Sequence, residues 1–270
     1  MLDHSDEKLE AALSKLTALD RDAEGVQEVV AVGKRAIPGL RSILFQREPS
    51  GLYQVRCRAV EALGQLKAFD VLKEFLRGKE PAADPVERLG DDVVLSSAAR
   101  WLAWSRDRGT FSFLLDLATR HPLNGLIAAL ASFRRPEAIP VLVDALGEDE
   151  LRRTAEIAIL SYGSGAGQIL LEAADHFRSI ENPSESEFRK LRSIMSLLGE
   201  IDLKAMDADR NRHFMTSGDV QVSLLACGAA LRNSSETTRA EARAKLLEIR
   251  PHVSWLEKLQ IDGYLTKSSS

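Results

Sequence analysis

Apolar residues recur along this 270-residue chain at helical spacing, in short blocks that come in twos. Val55, Ala59, Val60, Ala62 and Leu63 form one stripe of period 3.6, and Val71, Leu72, Phe75 and Leu76 form the next. Gly64 sits where the first block ends, as glycine often does at a helix C-terminus. Neither block is long enough to be stable in isolation, so each has to bury its stripe against the other and against the next pair. The frame repeats. Ala98-Ala99-Arg100-Trp101-Leu102-Ala103 precedes Phe113-Leu114-Leu115-Asp116-Leu117, and Leu126-Ile127-Ala128-Ala129-Leu130-Ala131 precedes Ala138-Ile139-Pro140-Val141-Leu142. Leu102 to Leu114 and Leu130 to Leu142 are both separated by 12 positions.

The same five-residue phrase occurs twice, as Ala36-Ile37-Pro38-Gly39-Leu40 and as Ala138-Ile139-Pro140-Val141-Leu142. Its proline fits the first turn of a second helix, where the missing N–H has no intrahelical partner in any case. The pattern therefore predicts an all-α fold, an α-solenoid of about six or seven antiparallel helix pairs. One array over 1–270 is expected. It has a capping helix at 5–19, repeats at 24–177 and 188–250, a bend or long loop at 178–187, and a second capping helix at 252–265. Gly78 to Pro85 reads as a further polar insertion between pairs.

The residues Val55-Arg56-x-x-Ala59-Val60-x-Ala62-Leu63-Gly64, the Arg135-Pro136-Glu137-Ala138-Ile139-Pro140-Val141-Leu142 turn and Leu197-Leu198-Gly199 resemble HEAT repeats, in particular the short bacterial type of phycobilisome-lyase-like proteins. The resemblance spans roughly residues 24–250 and implies a stack in which each pair touches only its neighbours. It also implies that second helices line the concave face. On function it leaves three classes open: a protein-binding scaffold, a subunit of a phycobilin-lyase-like enzyme that attaches or detaches a tetrapyrrole, and a nucleic-acid-binding, glycosylase-like HEAT protein.

Composition narrows these classes. Hydrophobic residues are 44%, charged residues 28% and aromatics 6%, with Ala and Leu abundant, which suits closely packed helices. The net charge of −4 argues against a general nucleic-acid binder, which needs surplus Lys and Arg. Between Pro136 and Glu187 three basic residues stand against eleven acidic ones, a surface suited to a basic partner. Cys57 and Cys227 lie in apolar helical context and read as free thiols in a reducing cytoplasm. The polar, acidic first residues do not read as a secretory signal, and no apolar run approaches a membrane span of about 18 residues.

Chemistry is sparse. No two of His4, His121, His176, His213 and His252 are placed as a helical metal pair, and none is followed by Glu as in the iron-binding HEAT-like hydroxylases. Gly163-Ser164-Gly165-Ala166-Gly167 follows a helical block and not a strand, so it reads as a helix–helix turn. Trp101, Trp104, Asp107 and nearby arginines imitate the base-holding set of HEAT-like glycosylases. Trp101, however, aligns with core positions of the neighbouring repeat. The expectation is a non-enzymatic scaffold without metal or cofactor, binding a protein that carries a basic patch, with no nucleic-acid or membrane partner. Its candidate contact residues on second helices are Arg41, Lys73 and Arg77, then Asp144, Glu148, Glu172 and Asp175, with Trp104 at a helix end. Arg239, Arg243 and Lys245 continue the charge pattern.

Overall fold

Short amphipathic blocks with no β-branched runs leave the backbone one way to pair its N–H and C=O groups, and every regular element among the described residues is helical. The computed structural model describes residues 4–18, 22–46, 53–78, 84–203 and 208–267. The expected insertion at 78–85 falls partly outside them. They divide into two compact units, Met1–Phe133 and Arg134–Ser270.

The first unit holds α1 (His4–Thr17), α2 (Asp22–Val32), α3 (Ile37–Phe45), α4 (Gln54–Gln65), α5 (Phe69–Arg77), α6 (Pro85–Leu102), α7 (Arg108–Arg120) and α8 (Asn124–Phe133). α2, α4, α6 and α8 lie side by side as one row, and α3, α5 and α7 pack along it as a second. This is the nearest-neighbour stacking of an α-solenoid. The seam between the rows is fully buried, through Leu40 and Leu44, Leu63 and Leu72, Leu102 and Leu114. Pro38 stands in the first turn of α3, directly after a 3-10 turn at Gly33–Ala36.

Buried side chains of α4 tie it to its neighbours. Arg58 donates to the backbone carbonyls of Leu16 (3.0 Å) and Ala18 (2.6 Å), capping the end of α1 from α4. Arg56, also on α4, donates to the Leu44 carbonyl at 3.0 Å and pairs with Asp91 of α6 at 2.6 Å. Asp84 caps α6 through the N–H groups of Val86 and Glu87, so Pro85 is the first residue of that helix and not part of a loop. Gly64 differs from its expected role as well. It is buried inside α4, where a Cβ would enter the Trp101 ring, so its small size admits the neighbouring helix.

The second unit holds α9 (Ile139–Ala145), α10 (Asp149–Leu160), α11 (Gly167–Phe177), α12 (Glu185–Glu200), α13 (Ala208–Met215), α14 (Val220–Asn233), α15 (Glu236–Ile249) and α16 (Trp255–Lys267). α10, α12, α14 and α16 form its first row, with α9, α11, α13 and α15 along it. α14 is the centre, packed by α12, α13, α15 and α16, with Val222, Leu224, Ala226, Cys227, Ala229 and Ala230 buried. Ser184 and Glu187 close a reciprocal capping box at the start of α12. Asn233, buried at the end of α14, donates to the carbonyls of Leu198 (2.6 Å) and Ile201 (3.0 Å) and accepts from the Leu203 N–H at 3.0 Å, which finishes α12. Residues 163–167 form a 3-10 turn and the start of α11, as a helix–helix connection should.

Candidate functional site

In the first unit the sequence-predicted bases stand on α3 and α5, and each is engaged by a group at or beyond the next helix. Arg41 makes a two-pronged ion pair with Glu74 of α5, and its guanidinium lies 4.7 Å from the centre of the Phe45 ring. Lys73 approaches Asp107 at 3.9 Å, and Arg77 stacks 5.0 Å from the Phe113 ring of α7. These contacts staple α3 to α5 and α5 to α7. Asp107 is the N-cap of α7, accepting from the backbone N–H of Thr110 at 2.8 Å as well as from its hydroxyl. Those hydrogen bonds, with Ser105 and Lys73 adding to them, hold its carboxyl far below the usual carboxylate range. It is thus committed to helix structure. Trp104 is 70% exposed, tilted against Trp101 with ring centres 6.4 Å apart.

In the second unit the acidic candidates separate. Asp144 stands on α9, Glu172 and Asp175 on α11, and Glu148 at the start of α10 rather than on a second helix. A cleft of about 350 Å³ lies between α9, α11 and α12. Its apolar lining includes Pro140, Val143, Ile169, Ala173, Leu191 and Ile194, and its polar lining is Asp144, Glu172, His176, Glu187 and Lys190. Asp144 and Glu172 are therefore brought together there, whereas Glu148 and Asp175 are not among the lining residues. Glu172 accepts from Gln168 at 2.8 Å, and Asp175 stands 3.8 Å from Arg178.

Sequence reasoning missed what α12 does to this surface. Lys190 donates to Asp144 at 2.5 Å, Arg189 pairs with Asp149, and Arg192 bridges Glu185 (3.0 Å) and Asp219 (2.6 Å). The acidic stretch at 136–187 is answered by the three bases that follow it, and the signal was those bases themselves. Farther along, Arg239 and Arg243 both face Glu236 (3.6 and 3.7 Å), and Lys245 pairs with Glu248 at 2.8 Å.

The described residues line further cavities. One, of about 610 Å³, lies among α12, α14 and α16, with Glu200, Arg232 and Tyr264 in its wall. Another, of about 390 Å³ in the first unit, has Leu76, Arg88 and His121 among its lining. Among the described residues no group of three or more His, Cys, Asp or Glu side chains is placed to hold a metal ion. No helix among them is long and apolar enough to cross a membrane.

Both cysteines are free thiols. Burial pushes the Cys227 thiol up to about 12, and burial raises Cys57 as well, against the opposing pull of Arg56 and Arg100. Since the thiolate is the reacting form, both should label slowly in the native state at pH 8. Half-buried Cys57 should react first and fully buried Cys227 only on unfolding. Peptide mapping after timed iodoacetamide treatment checks the order; equal rates would contradict it.

Paired helices, buried seams and prolines in the first turns of α3 and α9 give each unit an all-α fold of solenoid type. Among solved structures the chain is similar to the complex of CpcE and CpcF of phycocyanin lyase from Nostoc sp. PCC7120, at 18% identity and a TM-score of 0.38, over 96% of this chain and 94% of that one. No family model matches the sequence, and no curated protein does. The likeness is one of fold. The expectation of a non-enzymatic chain is not borne out: the solved structure it is similar to is, by its name, that of a lyase. The physical reason is that a lack of clustered catalytic side chains in one sequence does not exclude chemistry.

Proposed function

We propose that this chain is a HEAT-like subunit that works bound to a protein partner in a lyase-related complex, and that the α9–α11–α12 cleft receives a segment of that partner. The cleft carries this reading. It is concave, its floor is apolar, and a few polar groups stand at its edge, the composition of a recognition site. Glu172 at its rim accepts from neutral Gln168, whereas Asp144 is drawn to Lys190 and Glu187 is held in the capping box with Ser184. A partner segment with an apolar side chain beside a Lys or Arg fits this arrangement, the first on Ile169 and Ala173, the second on Glu172.

Glu172→Lys should weaken capture of the partner by about tenfold or more while leaving the far-UV spectrum unchanged. Ile169→Asp should do the same through the floor, and Asp116→Lys in the first unit should leave capture intact. Equal recovery with all three variants would sink the cleft as the docking place. The lyase-related role has a separate test. Mixing the chain, alone and with the captured partner, with a free bilin should shift the pigment's visible absorbance. A spectrum equal to that of the bilin in buffer removes the lyase part and leaves the protein-binding part standing.

A further inference from the structure

α16 is two-sided, and the second unit uses only one side. Facing α14 it carries fully buried Ile261 and half-buried Tyr264 and Leu265. Facing out it carries Trp255, 72% exposed, Leu256, 63% exposed, and Leu259, 58% exposed. At helical spacing Trp255, Leu259, Gly263 and Thr266 stand in one outward stripe, with Leu256 along its edge. Two carboxylates of α16 are matched within the chain: Asp262 by Arg250 in a two-pronged pair (2.8 Å each), and Glu257 by Ser254 and Gln221.

Gly263 gives the stripe its meaning. It is mid-helix and exposed, a Cβ there would meet nothing within 4 Å, and its backbone does not take the positive φ that calls for glycine. Nothing inside the chain explains a residue that costs a helix about 0.5–1 kcal/mol relative to alanine. A second copy does. In an antiparallel pair of α16 helices with the two-fold axis at Leu259, position 255 of one copy faces position 263 of the other. The bulky Trp255 then lies over the one residue of the stripe without a side chain, and Leu259 meets its own symmetry mate.

We propose that this face is a homodimer contact, α16 against α16 of a second copy, with Trp255 of each seated on the partner's Gly263. Trp255, Leu256 and Leu259 offer roughly 400 Å² of apolar surface, in the range where exposed patches mark interaction sites. A standard interface takes about 800 Å² per partner, so α16 supplies about half. A contact of about half the standard size calls for a weak association, reversible on dilution.

Sedimentation velocity over a concentration series from about 1 to 300 μM tests this. The full chain should pass from monomer to dimer. Trp255→Lys should remain monomeric throughout while keeping the wild-type melting temperature, since that side chain is outside the core. Gly263→Ala is the sharper variant. It should melt at the same temperature or higher, because alanine favours helix, yet dimerise about tenfold more weakly, because the methyl meets the partner's Trp255. Trp104→Lys, the other exposed tryptophan, should dimerise like wild type. A wild-type chain that stays monomeric across the series overturns the proposal. So does a dimer that tolerates Trp255→Lys and Gly263→Ala, or one that Trp104→Lys dissociates.

Discussion

Replacing Asp91 with alanine should destabilise the first unit by about 3–5 kcal/mol, read as a lower denaturant midpoint for that unit. The cause is electrostatic. Arg56 and Asp91 are 7% and 5% exposed, paired at 2.6 Å between α4 and α6. Removing the carboxylate leaves a guanidinium buried, with the Leu44 carbonyl at 3.0 Å and the Phe75 ring at 5.6 Å as neighbours that do not neutralise it. Breaking a buried pair is costly for that reason, while exchanging both members for apolar residues is often neutral. The double variant Arg56→Met, Asp91→Leu should therefore recover most of the loss. A double variant as unstable as the single one would show that packing, and not the orphaned charge, sets the cost.

Gly125→Ala should be at least as damaging, by about 3 kcal/mol or more, although it adds one methyl group. Gly125 is the second residue of α8, and its N–H donates to Ser96 Oγ of α6 at 3.2 Å. A Cβ at that position would overlap the Ser96 backbone itself, which no rotamer change relieves. Gly199→Ala on α12 is the matched control. There a Cβ would stand 3.6 Å from Ala229, an ordinary contact. The expected result is no loss, or a gain of about 0.5–1 kcal/mol from helix propensity. Thermal melts of the two variants decide it; equal melting temperatures would mean that α6 and α8 are free to separate at that crossing.

These cases also show which features the sequence makes legible. Pro38 and Pro140 sit in the first turns of α3 and α9 because the rule that places them is local, one residue against its own helix. The apolar stripes that become α4, α6 and α8 are local in the same sense. Gly64 was not legible, because its reason lies on Trp101, 37 positions away and on another helix. The acidic run at 136–187 was legible as composition but not as surface. Whether Asp144 meets Lys190 depends on α9 coming to lie beside α12. The cleft was half legible: Asp144 and Glu172 were picked out by charge, while its floor, Ile169 and Leu191 among it, was indistinguishable from core.

α14 lies at the centre of the second unit. With helices packed on four sides, its amide groups become accessible only after its neighbours have separated, so α14 is the slow-exchanging heart of the second unit. α16, held on one side alone, opens at far lower cost. Any contact made through α16 would tether the most loosely held helix of the stack, and occupancy of that face would register first as slowed amide exchange along 255–267.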